Sequence, residues 1–104
     1  MTRGDIYRIR LPARRGREQA GPRFGVIVQA NELLGLSTAI VAPTSRRAAA
    51  ATFRPEIEIA NNRTRVLVEQ LRAVDVERLS EFAGRLTAGE QRAVDEALTL
   101  VLDL

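Results

Sequence analysis

Residues 24–29, FGVIVQ, and residues 38–43, TAIVAP, are two continuous apolar runs of strand length, separated by ANELLGLS. Runs this short, rich in β-branched residues and lacking a 3.6-residue period, read as buried strands. The segment between them could hold a helical turn, but its length and Gly35 favour a plain connection. Upstream, residues 5–11 alternate, with Tyr7, Ile9 and Leu11 on one face and Arg8 and Arg10 on the other, as a half-buried strand does. Residues 12–23, PARRGREQAGPR, break that pattern with two Pro, two Gly and four Arg and read as a long polar loop.

Downstream, the four alanines of residues 48–51 lie between Arg46-Arg47 and a β-rich stretch and read as loop. Pro55 permits an edge strand over residues 56–59. Residues 61–63, NNR, look like a turn, with base-reading amides as the minority reading. Residues 65–70, RVLVEQ, read as a further strand. Asp75 is a good N-cap for a helical turn over VERL, and residues 81–86 return as a last strand. Thr87 and Glu90 form a capping box, and Val94, Ala97, Leu98 and Val101 recur on one face of a C-terminal helix. These elements predict a mainly β (α+β) fold: a small SH3-like β-barrel of five to six strands, one short helical turn and a C-terminal amphipathic helix.

The chain has 104 residues, enough for a single domain over 1–104. With one Tyr, three Phe and no Trp, the core is made of Val, Ile, Leu and Ala, and it is lean enough to make a second copy of the chain a reasonable partner. The scattered aromatics read as core, not as a stacking platform. Cysteine and histidine are absent, so thiolate chemistry, disulfides and the commonest metal ligand are excluded. Glu56 and Glu58 share the outer face of one strand, where a metal site is improbable. No apolar stretch has the length of a membrane span and the first residues do not resemble a signal peptide, so a cytoplasmic protein is expected.

Net charge is +3 and is unevenly spread. Residues 1–25 carry seven Arg against Asp5 and Glu18, whereas residues 66–104 carry four Arg against eight acids. The basic N-terminal portion is the candidate phosphate-facing surface. Arg23, where the polar loop meets an apolar strand, can grip a phosphate through two parallel hydrogen bonds and stays charged at physiological pH; a solvated loop Arg is the plainer reading. Thr44-Ser45 follow the other apolar strand with two hydroxyls and two backbone N–H groups, which can hold a phosphoryl oxygen or form a simple turn. Glu69, Gln70 and Arg72 join the same rim if their strand is a neighbour. No nucleotide-binding or metalloprotease motif occurs.

In their order along the chain, these segments resemble the MazF/PemK family of type II toxin–antitoxin toxins. RGDIYRIRLPARRGREQAGPRFGVIVQAN looks like the family's N-terminal half, in which an R-G-D/E-[IV]-[YW] start leads through a loop into a Gly/Ser-Glu segment, then Arg and a β-strand. APTS, RPEIEI, LVEQLRAVDVERL and the capped helix follow in the family's order. The resemblance implies a metal-independent endoribonuclease without a cofactor, an mRNA interferase that cuts single-stranded RNA at specific sequences and arrests growth. It implies a homodimer silenced by a MazE-like antitoxin with an acidic C-terminal tail. Arg23 matches the catalytic Arg and Thr44 the catalytic Thr. Glu18, Gln19, Ser45, Arg46, Gln70 and Arg72 match positions that line or shape the RNA groove. Phe24 stands where the family usually has Pro. The implied reaction is attack of the RNA 2′-hydroxyl on its own phosphate, leaving a 2′,3′-cyclic phosphate and a 5′-hydroxyl; Glu18 and water are the candidates for taking the 2′ proton, and the sequence does not choose the general base. A catalytically inactive nucleic-acid-binding module and a gyrase-poisoning toxin on the related fold are the alternatives.

Overall fold

The computed structural model describes residues 1–11 and 21–104. Seven strands and one helix follow one another as β1 (Asp5–Leu11), β2 (Gly21–Ile27), β3 (Thr38–Ser45), β4 (Glu56–Ile59), β5 (Asn62–Val66), β6 (Arg72–Asp75), β7 (Leu79–Arg85) and α1 (Ala88–Leu102). The strands form one curled antiparallel sheet in the order β4-β5-β3-β2-β1-β7, with β6 paired to β3. The family's barrel-like, mainly β architecture with a packed C-terminal helix is thus present, with one strand more than the sequence suggested.

β3 organises this sheet. One edge pairs with β2 through residues 41–43; the other is shared, residues 38–41 going to β6 and residues 44–45 to β5. Both faces are covered as well. Ala42 and Val26 join Ile57, Val66, Val94 and Leu98 in a core between the curled sheet and α1. Their chain neighbours Val41 and Ile27 join Ile9, Ala39 and Val74 in a second core on the opposite face. A strand buried on both sides needs apolar residues at consecutive positions, which is why FGVIVQ and TAIVAP are continuous runs. Gln29, buried at the end of the first run, donates to the Leu33 carbonyl at 2.7 Å and accepts from Ile40 N–H at 3.0 Å, fastening the connection between the strands. That connection contains a single 3-10 turn at Asn31–Leu33.

Four expectations need correction. Residues 65–70 are not one strand: β5 ends at Val66, and Val68–Gln70 form a 3-10 turn leading into the unforeseen β6. Val66, Leu67 and Val68 are all buried, so this run turns between two stretches of β3 instead of alternating across a wet sheet. Second, Asn62 and Arg63 belong to β5. The turn is Ala60-Asn61, both with positive φ (51° and 66°), closing a two-residue hairpin in which Ile59 pairs with Asn62. Third, residues 21–23 lie in β2 and not in the polar loop, whose remainder falls outside the described residues. Phe82 is also no core residue: it is 55% exposed on β7, edge-on to the Tyr7 ring at 5.7 Å.

The other elements follow their local chemistry. β4, just after Pro55, is an edge strand with Ile57 and Ile59 inward and Glu56 and Glu58 outward. Residues 48–51 are irregular, and Asp75 caps a 3-10 turn at Val76–Arg78 by accepting from Glu77 N–H at 2.9 Å. Thr87 and Glu90 complete a reciprocal capping box on α1. Glu90 does more than cap, because its second carboxylate oxygen accepts from the backbone N–H of Glu58 at 2.9 Å, tying the helix start to edge strand β4.

Thr87→Ala should therefore cost about 0.5–2 kcal/mol, the usual range for losing an N-cap. Glu90→Ala should cost more, since it also leaves the Glu58 N–H without its acceptor. Denaturant midpoints of the two variants check this order; equal losses would show that the strand contact contributes nothing.

Candidate phosphate-binding cleft

The β2–β3 ladder has its last paired position at Gly25↔Pro43. Proline has no N–H to carry the ladder further, and the next residue out, Thr44, takes over with its side chain. Thr44 Oγ1 lies 3.0 Å from the Phe24 carbonyl oxygen. A carbonyl only accepts, so the hydroxyl is the donor. Thr44 is only 4% exposed, and this bond satisfies its buried hydroxyl while fixing the backbone beside Arg23.

Around this bond the curled sheet opens into a cleft of about 570 Å³. β1 contributes Arg8, which sits opposite Phe24 in the register. β2 contributes Arg23 and Phe24, and β3 contributes Thr44 and Ser45 with Arg46 and Arg47 immediately beyond. The β4–β5 hairpin closes the far side with Ile59, Ala60, Asn62 and Thr64. Four guanidinium groups thus share one concavity with three hydroxyls and an amide, over a floor that includes Phe24 and Ile59. No carboxylate of the described residues lines it. Such a surface presents donors and positive charge and suits a phosphate-bearing ligand with an apolar or aromatic part.

Of the residues named from sequence, Arg23, Thr44, Ser45 and Arg46 come together here. They arrive from β2 and from the end of β3 about twenty residues later, and the Thr44–Phe24 bond joins the two strands. Glu18 and Gln19 lie outside the described residues. Gln70 and Arg72 do not line the cleft: Gln70 ends the 3-10 turn after β5, and Arg72 opens β6 opposite Val41. Glu69 is turned to another task. Its Oε2 accepts from Arg54 Nε and Nη2 at 2.9 and 2.6 Å, and Arg54 Nη1 also donates to the Ala49 carbonyl at 3.2 Å. The Arg65 guanidinium donates to the Arg54 carbonyl at 2.8 Å. This network braces the loop that follows Arg46 and Arg47. Sequence reasoning missed Arg8, Arg47 and Thr64 as cleft residues. The strand alternation of β1 placed Arg8 on a solvent face, and only the curl of the sheet brings it over Phe24.

No helix among the described residues is long and apolar enough to cross a membrane, and no group of three carboxylates among them is placed to hold a metal ion.

The comparisons with known proteins agree with this arrangement. Residues 2–102 match the family described as PemK-like, MazF-like toxin of type II toxin–antitoxin system. A candidate toxin of Mycobacterium tuberculosis is 40% identical over 77 residues, covering 73% of this chain and 72% of its own. Among solved structures, MazF from Deinococcus radiodurans superimposes with a TM-score of 0.87 at 20% identity, covering 100% of this chain and 97% of that one. An endoribonuclease in complex with its cognate antitoxin, from a mycobacterial species, superimposes with a TM-score of 0.82 at 16% identity, covering 100% and 96%. At these identities the two structures speak for the fold, while the sequence match over nearly the whole length speaks for kinship: the chain belongs to the PemK-like, MazF-like toxins of type II toxin–antitoxin systems.

Proposed function

We propose that this toxin is a metal-independent endoribonuclease that cleaves single-stranded RNA in the cleft between Arg23 and Thr44. The observation that carries the reading is the cleft itself: Arg8, Arg23, Arg46 and Arg47 converge with the Thr44 and Ser45 hydroxyls. Family membership supports it, since these toxins are endoribonucleases as a class.

RNA brings its own nucleophile. The 2′-hydroxyl oxygen attacks the adjacent phosphorus, the P–O5′ bond breaks, and the products are a 2′,3′-cyclic phosphate and a 5′-hydroxyl. Because the attacking group is already tethered, the protein's work is to hold the phosphodiester in line and to stabilise charge that grows in the transition state. Arg23 neutralises the nonbridging oxygens of the pentacoordinate phosphorane and donates an N–H to the departing 5′-oxygen. Thr44 acts in two ways. Its bond to the Phe24 carbonyl holds Arg23's strand in place, and its hydroxyl belongs to a residue that lines the cleft. Turning its proton to a phosphoryl oxygen sacrifices a neutral bond, worth about 0.5–1.5 kcal/mol net, for a stronger charge-assisted one. Glu18 or water takes the 2′ proton.

A second copy of the chain and an antitoxin complete the proposal. Leu33, Leu36 and Ile40 stand exposed around the start of β3, apolar surface suited to a homodimer. An acidic antitoxin tail fits a cleft of four arginines by charge. A solved mycobacterial endoribonuclease of this fold is in complex with its cognate antitoxin, which supports an antitoxin as partner here.

Arg23→Ala should lower the single-turnover cleavage rate by at least ~100-fold, the scale of removing a principal oxyanion donor, with the fold intact by circular dichroism. Undiminished cleavage would remove the mechanism. Thr44→Ala should reduce kcat more than it raises KM; a change in KM alone would make Thr44 a binding residue. Arg46→Ala should weaken RNA binding by a similar factor across sequences and flatten the dependence of log affinity on log salt by about 0.7, one phosphate contact on a single strand. Titrations at several salt concentrations read that slope, and an unchanged slope would take Arg46 off the phosphate path.

A further inference from the structure

The hairpin that closes the far side of the cleft is built in an unusual way. A two-residue turn with positive φ at both positions is the natural place for Asn-Gly, yet here it is Ala60-Asn61, at φ 51° and 66°. A left-handed alanine is a strained choice, and residues held in such conformations cluster where a neighbouring group must be aimed. The group aimed here is Asn62, the first residue of β5. It pairs with Ile59 across the turn and lines the cleft beside Ala60. Its side chain is anchored, since Nδ2 donates to the Ala60 carbonyl at 3.2 Å. That bond settles which end of the amide is nitrogen, because a carbonyl accepts only. It leaves Oδ1 as an acceptor and the second N–H as a donor, in a cleft that Phe24 and Ile59 also line.

We infer that Asn62 is a specificity-determining residue that reads the edge of one base next to the phosphate held by Arg23 and Thr44. The inference rests on the RNA-binding reading of the cleft. Adenine and cytosine carry an amino donor beside a ring-nitrogen acceptor on their Watson–Crick edges. Guanine and uracil carry the reverse, a carbonyl acceptor beside a ring N–H. An amide free to flip pairs with either class. One whose nitrogen is tethered to Ala60 presents donor and acceptor in one order and separates the amino bases from the keto bases. A splayed single-stranded base exposes this edge, and the apolar floor receives its ring. The phosphate-directed arginines carry no such information, so the amide supplies sequence preference that they cannot.

The test uses short single-stranded 2′-O-methyl RNAs, which lack the attacking hydroxyl, varied one position at a time through the four bases. Affinities are measured for the full-length wild type, Asn62→Ala, Asn62→Asp and, as a control on the other side of the same strand, Arg63→Ala, which faces the groove shared with Glu56 and Glu90. The wild type should separate amino from keto bases by about 10-fold or more at one position. Asn62→Ala should flatten the preference at that position alone. Asn62→Asp, which only accepts, should move it toward guanine, whose N1–H and N2–H₂ are adjacent donors. Arg63→Ala should keep the wild-type preference. A wild type without base preference, an Asn62→Ala variant that retains it, or an Arg63→Ala variant that loses it equally would overturn the inference. Unmodified RNA of the preferred sequence is assayed alongside. A base preference that depends on Asn62, without cleavage, would sink the endoribonuclease reading and leave Asn62 as the reader of a binding cleft.

Discussion

The hydrogen bond from the Thr44 hydroxyl to the Phe24 carbonyl is the point on which the site depends. β3 is paired on both edges and, from Val41 onward, buried on both faces, so its course is set by packing before the chain reaches Thr44. Pro43 ends its ladder with β2, and at that position the sheet would be free to splay. A buried hydroxyl replaces the missing backbone donor and holds Arg23's strand against β3 where the sheet opens into the cleft. The rigid core thus extends to within one residue of the proposed catalytic guanidinium, the requirement for a site that works by positioning.

Charge is distributed to match. The carboxylates of the described chain are engaged elsewhere or lie off the cleft. Asp5 accepts from Arg85 at 2.7 Å, Glu69 from Arg54 and Asp95 from Arg3 at 2.8 Å, while Glu56 lies 3.5 Å from Arg65. Arg8, Arg23, Arg46 and Arg47 line one common space. A modest overall charge of +3 therefore conceals a strongly cationic concavity, and it is the concavity, not the sum, that a polyanion meets.

Much of this was legible in the sequence, for identifiable reasons. The boundaries of β1 and β4 follow from alternation and from Pro55, and α1 from its capping box and apolar face. The two continuous apolar runs announced strands with no wet side. The same signal misled over residues 65–70, because three consecutive buried residues occur equally in a two-sided strand and in a turn packed between strands. β6 is four residues long, and only Val74 among them is buried, too little pattern to recognise. Arg23, Thr44, Ser45 and Arg46 were singled out by their places at strand ends and by a family resemblance, from sixteen arginines and two adjacent Ser/Thr pairs. Gln70 and Arg72 were drawn to the rim on the premise that their strand adjoined it, and the 3-10 turn takes them elsewhere. Arg8 depends on the pairing of β1 with Phe24 of β2, which local sequence does not specify, and Asn62, raised only as a minority base-reading amide in a turn, depends on where the two-residue hairpin places it.

The proposed reaction uses the substrate's own 2′-hydroxyl, with guanidinium charge in place of a metal ion. The direct measurement is end-group analysis of a long mixed-sequence single-stranded RNA incubated with the purified toxin in excess EDTA. Discrete fragments ending in 2′,3′-cyclic phosphates and beginning with 5′-hydroxyls are the predicted result. RNA left intact by a folded toxin free of antitoxin, or cut to 3′-hydroxyl and 5′-phosphate ends, would contradict it.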